Sequence, residues 1–120
     1  MLPVSYSSRP EIDIMEILAH DTTAYHMNYH YVGGDAGQTW SGPDFSAGWH
    51  VLGIDWSPQA IVWYVDGIER WRYTNQANIS SEPEYLLLNL AVGGDWPGAP
   101  DGNTPFPSYF DVDYVRVWQR

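Results

Sequence analysis

Glu11-Ile-Asp-Ile-Met-Glu16 is the stretch from which both the fold and the chemistry of this chain can be predicted. Successive side chains of a β-strand point to opposite faces, so Glu11 and Asp13 share one face while Ile12 and Ile14 share the other. Glu16 would then fall on the apolar face, where an unpaired charge is costly. One extra residue, a β-bulge near residues 14–15, returns Glu16 to the acidic face. We therefore predict a bulged strand over residues 11–18 with the carboxylates on one side.

Carboxylates on one strand face suggest two kinds of site. A retaining glycosidase uses two carboxyl groups about 5–5.5 Å apart, one as nucleophile and one as acid/base. The Cα atoms of Glu11 and Glu16 would lie roughly 13 Å apart on a flat strand, which a concave sheet and long side chains would shorten. The alternative is a polar strand face, or carboxylates that hold a calcium ion loosely. Residues 11–16 alone leave both interpretations open.

Two further stretches accompany the acidic strand. The first runs from Trp49–Trp56 (WHVLGIDW) to Trp63–Gly67 (WYVDG), and the second from Leu87–Gly98 (LLNLAVGGDWPG) to Asp113–Trp118 (DYVRVW). Together and in this order, the three stretches resemble the C-terminal half of the catalytic domain of glycoside hydrolase family 16, in its bulged, laminarinase-like form. The resemblance covers essentially the whole chain. It implies one partial domain over residues 1–120, with the β-sandwich or jelly-roll fold of the concanavalin A-like lectin/glucanase type, apparently truncated.

The sequence pattern also predicts an all-β chain. Short apolar stretches are separated by Gly, Pro, Asn and Asp, and helix signals are nearly absent. Asp66-Gly67 is typical of a hairpin turn. The long polar stretch from Gly33 to Gly48 is predicted to be a loop, and residues 75–81 a short turn. The predicted strands after residues 11–18 are 24–32, 49–56, 60–66, 68–73, 84–92 and 110–119.

The resemblance assigns roles to residues of the acidic strand and its neighbour. Glu11 matches the nucleophile, Glu16 the general acid/base, and Asp13 the carboxylate that assists them. His30 matches a histidine that faces the same cleft, suited to bond a sugar hydroxyl or a catalytic carboxylate. The alternative for His30 is a strand histidine that faces solvent.

Other residues are candidates for sugar binding. Trp40 and Trp96 lie in predicted loops, where an exposed ring could stack on a sugar. Asn89 interrupts an apolar run, so it is either a sugar ligand or a core amide with satisfied hydrogen bonds. The tryptophans in strand patterns are expected to be buried instead; they are Trp49, Trp56, Trp63 and Trp118.

No cofactor is required by the implied chemistry, but the family often carries a structural calcium. Asp113 matches one ligand of that metal. Calcium takes six to eight oxygen ligands, and the resemblance places the others in the half of the domain that this chain does not match. An intact calcium site in this chain alone is therefore not expected.

Charge and composition restrict the partners. The net charge is −10, with five arginines and no lysine, which argues against nucleic acid and anionic membranes because both bind positive surfaces. A neutral polysaccharide fits an acidic protein. The chain has no cysteine, and residues 1–10 lack the pattern of a signal peptide. The resemblance implies an extracellular location.

Two functions follow as hypotheses. The first is a retaining endo-β-glucanase that hydrolyses β-1,3, or mixed β-1,3/1,4, bonds in polysaccharide. The second is a non-catalytic carbohydrate-binding or inactive half-domain remnant. Because half of a jelly roll leaves open strand edges, we also expect the chain to form a homodimer or strand-swapped oligomer, to pair with a missing segment, or to be a fragment of a longer protein.

Overall fold

The computed structural model describes residues 1–5 and 7–119. The chain divides into two compact units, the first comprising Met1–Leu87 and the second beginning at Leu88. All the regular secondary structure of the described residues lies in the first unit, and the prediction of one partial domain over residues 1–120 stays a prediction. The elements are β1 (Leu2–Pro3), β2 (Glu11–Leu18), β3 (Asp21–Tyr31), β4 (Gly34–Ser41), β5 (Leu52–Trp56), β6 (Ile61–Val65), β7 (Ile68–Tyr73), a 3-10 helix (Gln76–Asn78) and β8 (Glu84–Tyr85).

The strands form antiparallel sheets, which confirms the all-β prediction. One three-stranded sheet has the order β2-β3-β4, the other has the order β5-β6-β7, and β1 pairs with β8. The turn between β6 and β7 contains Asp66 and Gly67 with φ of 53° and 77°, as a type I′ hairpin requires. The predicted Asp-Gly hairpin is therefore confirmed. The 3-10 helix likewise confirms the short turn predicted within residues 75–81.

The core lies on the apolar face of the acidic strand and its neighbours. Alternate residues of β3 are buried, as their sequence pattern predicts, and they pack with residues of β6 from the other sheet. Because the apolar face is fixed in this core, the opposite face of β2 and β3 carries the polar side chains. The fully buried members of the cluster are Ile12, Tyr25, Met27, Tyr29, Ile61, Trp63 and Val65.

The predicted loop from Gly33 to Gly48 is wrong over half of its length. Gly33, with φ of 97°, makes a tight turn, and β4 then pairs with β3 from Gly34 opposite Tyr31 to Ser41 opposite Ala24. The composition of β4 favours a loop, but backbone hydrogen bonds to β3 override this weak local preference. Residues 42–51 form the loop that remains.

The last two predicted strands are largely absent from the described residues. Of residues 84–92, only Glu84–Tyr85 form a strand, opposite β1, and residues 110–119 have no strand. A strand needs a neighbour that accepts and donates its backbone hydrogen bonds, and the described chain provides one for β8 alone.

The burial prediction for the tryptophans is correct in part. Trp63 is fully buried and Trp56 is partly buried. Trp49 and Trp118 are 71% and 77% exposed, so the prediction is wrong for them. Both lie outside the strands that pair in the described part of the chain. Among the described residues, no helix has the length and apolar character needed to cross a membrane.

Candidate active site

The predicted β-bulge is present and sets the acidic face. Asp13 lies opposite Asn28 and Glu16 lies opposite His26, so β2 advances one residue more than β3 between these two pairs. Without the extra residue, Glu16 would fall on the same face as Ile12, in the core. The bulge thus places Glu16 on the face that Asp13 occupies.

Two buried aromatic side chains satisfy the backbone of the bulge. The Tyr25 hydroxyl donates to the carbonyl of Ile14, and Trp63 Nε1 donates to the carbonyl of Asp13 over 2.9 Å. A bulge interrupts the ladder and leaves backbone groups in need of partners. The core therefore anchors the acidic strand at the point where its register changes.

Polar side chains of β3 contact two of the three carboxylates. Asn28 Nδ2 donates to Glu16 Oε2 over 2.6 Å, and His30 Nε2 lies 3.0 Å from Asp13 Oδ2. Glu11 lies directly opposite His30 in the strand register. The structure thus brings Glu11, Asp13, Glu16 and His30 to one face of the sheet, with Asn28 as a member that sequence reasoning did not single out.

A second row of contacts lies behind His30. Its Nδ1 bonds Asp35 Oδ1, and Asp35 Oδ1 lies 2.8 Å from Arg9 Nη2. Arg9 Nη1 also donates to the carbonyls of Tyr31 and Gly34 over 2.9 and 2.6 Å. Arg9 thereby fixes the β3–β4 turn, and Asp35 fixes the orientation of the imidazole. The sequence alone does not single out Arg9 or Asp35. For Asp35 the reason is that the local pattern predicts a loop.

The carboxylate cluster changes the protonation of its members. Burial, followed by the charges of Glu16 and Glu11, raises the pKa of Asp13 to about 6. Burial lowers the pKa of His30, but the hydrogen bond with Asp35 and the charge of Asp13 outweigh it and raise that pKa overall. His30 therefore favours its charged form between two carboxylates, and Asp13 holds a proton at mildly acidic pH.

Of the other predicted substrate-binding residues, Trp40 does not join this group. Trp40 pairs with Tyr25 across β3 and β4, on the face opposite the carboxylates. The Arg70 guanidinium lies 3.8 Å from the centre of its ring. Asn89 and Trp96 belong to the second unit, where both are exposed. Their contacts with sugar stay predictions.

The calcium ligand predicted from the sequence is Asp113. Asp113 is exposed in the second unit. Across residues 1–5 and 7–119, no group of three or more His, Asp or Glu side chains is arranged to hold a metal ion. Calcium binding by Asp113 therefore stays a prediction, and the chemistry proposed below requires no metal.

Glu84 is a further carboxyl group that sequence reasoning missed. Both of its carboxyl oxygens are buried, and no described residue bonds them. Burial raises its pKa to about 7, and the charges of Glu82, Glu11 and Asp13 add to the rise. Its ordinary pKa is 4.5, so between about 4.5 and 7 the folded chain keeps a proton that the unfolded chain has released. Stability must therefore fall as pH rises through this interval.

Glu84→Gln is expected to stabilise the fold above pH 7. The substitution removes the charge without changing the shape of the side chain. Its effect is on the order of 1 kcal/mol, because the side chain as a whole is only partly buried and nearby solvent screens the charge. Thermal unfolding should show a rise in Tm of about 4 °C at pH 8 and almost none at pH 4. The matched control is Glu69→Gln: Glu69 is paired with Arg72, which lowers its pKa, so that variant should not gain stability. An equal gain at both pH values would contradict the prediction.

Comparison with known proteins places this geometry in a family. The model of "Glycosyl hydrolases family 16" matches residues 1–116. The chain is 40% identical over 111 residues to a β-glucanase of Paenibacillus macerans, covering 88% of this chain and 45% of the relative. It is 33% identical over 139 residues to glucan endo-1,3-β-glucosidase A1 of Niallia circulans, covering 97% of this chain and 20% of that protein.

Solved structures show the same likeness. The endo-β-1,3-glucanase of Pyrococcus furiosus matches with a TM-score of 0.75 and 37% identity, over 87% of this chain and 46% of that one. The laminarinase catalytic domain of Thermotoga maritima matches with a TM-score of 0.77 and 35% identity, over 88% and 50%. The chain thus spans about half the length of these relatives and has part of their jelly-roll fold. It belongs to glycosyl hydrolase family 16.

Proposed function

We propose that this chain carries the catalytic carboxylates of a retaining endo-β-glucanase that hydrolyses β-1,3, or mixed β-1,3/1,4, glucosidic bonds. The observation that supports the proposal most strongly is the bulged strand, which presents Asp13 and Glu16 on one face with Asn28 and His30 as their partners. The names of the relatives, β-glucanase and endo-1,3-β-glucanase, support the substrate class.

The proposed reaction proceeds in two steps. Glu11 attacks the anomeric carbon while Glu16 gives its proton to the glycosidic oxygen, so one sugar chain leaves and the other stays bound to Glu11 as an ester. Glu16, now ionised, takes a proton from water, and the water oxygen displaces Glu11 from the anomeric carbon. Two displacements at one carbon retain its configuration.

Asp13 and His30 adjust the charge around these two residues. Below about pH 6 Asp13 is protonated and adds no negative charge beside the attacking Glu11. Above that pH it is ionised and faces Nε2 of His30 at 3.0 Å. Asp13 is thus neutral below its pKa and paired with His30 above it. In both cases the negative charge next to the nucleophile Glu11 is limited.

The charge of the chain favours an uncharged polymer. The net charge of −10 and the acidic strand would repel a sulfated polysaccharide, whereas a β-glucan carries no charge. The family resemblance makes an extracellular location part of the same proposal.

The test is the release of reducing sugar from laminarin, lichenan and agarose. We expect activity on laminarin, with lower or comparable activity on lichenan and none on agarose, and loss of activity in Glu11→Gln. A chain that releases no sugar from any of them would overturn the proposal for the chain alone. Retarded migration in a laminarin-containing native gel, without hydrolysis, would then identify a carbohydrate-binding or inactive half-domain.

A further inference from the structure

Asn28 bridges two strands without following the direct cross-strand pairing. It lies opposite Asp13 in the register of β2 and β3, yet its side-chain amide reaches diagonally to Glu16, where Nδ2 donates over 2.6 Å to Oε2. The bulge is what brings Glu16 within this reach. Both side chains are partly buried, which strengthens a hydrogen bond to a carboxylate relative to one in open solvent.

The space that Asn28 occupies exists because the residue opposite it on β4 is Gly37. A Cβ atom at position 37 would lie 2.1 Å from Asn28 Oδ1 and 3.2 Å from Asn28 Cγ. It would also lie 3.1 Å from the backbone carbonyl of Met27, which cannot move aside easily. Any other residue at position 37 would therefore displace the Asn28 amide.

Such closeness is not general to the strand glycines. Gly53, in β5, has no atom within 4 Å of an added Cβ. Neither Gly37 nor Gly53 has a positive φ, so backbone conformation does not require glycine at either position. What distinguishes Gly37 is the amide of Asn28.

We propose that Asn28, which packs against the backbone of Gly37, is the positioning residue that holds the Glu16 carboxyl in place for proton transfer. The inference rests on the role of Glu16 as general acid/base. A glutamate has three side-chain torsions, and its carboxyl group must meet the glycosidic oxygen in one step and a water molecule in the next. A fixed donor on one carboxyl oxygen leaves the other oxygen directed at the reacting atoms.

The experiment is a double-mutant cycle on Asn28 and Gly37. Asn28→Ala and Gly37→Ala are each expected to lower kcat/KM on phenyl β-laminaribioside by about 10- to 100-fold. In the Asn28→Ala background, Gly37→Ala should lower kcat/KM by at most about a further twofold, because the side-chain amide with which the new Cβ would clash is absent. The control Gly53→Ala should leave kcat/KM within about twofold of the wild type, since its Cβ enters open space.

Two substrates with different leaving groups distinguish poor positioning of the acid from general damage to the active site. A dinitrophenyl group departs without protonation, so kcat/KM on dinitrophenyl β-laminaribioside should fall by no more than about threefold in either single variant. Glu16→Gln calibrates the measurement. Because this variant lacks the acid, its kcat/KM must fall more on the phenyl glycoside than on the dinitrophenyl glycoside, and this difference must be larger than in Asn28→Ala. If Gly37→Ala fails to fold, Asn28→Ala alone still decides the question.

Each outcome has one meaning. A wild-type chain that hydrolyses neither glycoside, or a Glu16→Gln variant without leaving-group dependence, overturns the proposed function and this inference with it. A different result concerns Asn28 alone, when the wild type and Glu16→Gln behave as expected. If Asn28→Ala then lowers kcat/KM equally on both glycosides, or on neither, only the positioning role of Asn28 is wrong. Additive losses in the cycle would refute the part assigned to Gly37.

Discussion

Glu11→Gln is expected to lower kcat/KM on laminarin by about 10³-fold or more. The amide is nearly the same size as the carboxyl group but cannot form the ester with the anomeric carbon, so the two-step route is closed. Reducing-sugar release at matched protein concentration measures the loss. The control is Glu69→Gln, on an exposed glutamate of β7 that bonds Arg72; it should keep full activity.

Azide distinguishes the nucleophile from a residue that only supports the fold. In Glu11→Gly the missing side chain leaves room for azide, which would attack the anomeric carbon of dinitrophenyl β-laminaribioside from the side that Glu11 occupied. The expected product is the α-glycosyl azide, identified by the coupling constant of its anomeric proton. Formation of the β-azide instead would assign Glu11 to the acid/base position and contradict the order of roles proposed here.

The acidic strand is the part of the fold that its sequence predicts best. The apolar residues of β2 and the alternation in β3 identify the buried face, and an unpaired Glu16 could not lie there. That conflict alone predicts the bulge, and the register of Asp13 and Glu16 confirms it.

The surroundings of that strand could not be predicted in the same way. Asp35 and Gly37 lie in a stretch whose glycines and polar residues favour a loop, and only their pairing with β3 makes it a strand. The contact of Asp35 with Arg9 joins residues far apart in the chain. Local sequence carries no signal for such contacts, because each depends on the register between strands.

A different limit applies to residues 84–92 and 110–119. Their composition favours strands, but pairing supplies the hydrogen bonds that make a strand, and in the described residues only β8 finds a partner. The apolar side chains that these stretches would bury in a sandwich are exposed instead; among them Leu88 and Leu90 are each more than half exposed.

The isolated chain is therefore expected to self-associate. Many exposed apolar side chains favour contact with another surface. In a purified sample, the available partner is a second copy of this chain. Sedimentation equilibrium between about 1 and 100 µM should give at least twice the mass of one chain at the upper end. A compact monomer over the whole range, with a cooperative thermal transition, would contradict this prediction.

Leu88→Lys with Leu90→Lys tests whether residues 88–90 form the contact. Burying two leucines contributes about 3 kcal/mol or more, so the double variant should weaken association by about 100-fold. The matched control is Val32→Lys, which adds a charge at a side chain that is 81% exposed in the turn between β3 and β4. If both variants weaken association equally, the introduction of a lysine at an exposed site is the cause, and not the loss of these leucines. If only the leucine variant does, the second unit presents an apolar surface that another polypeptide must cover, and the relatives, about twice as long, indicate how much chain that takes.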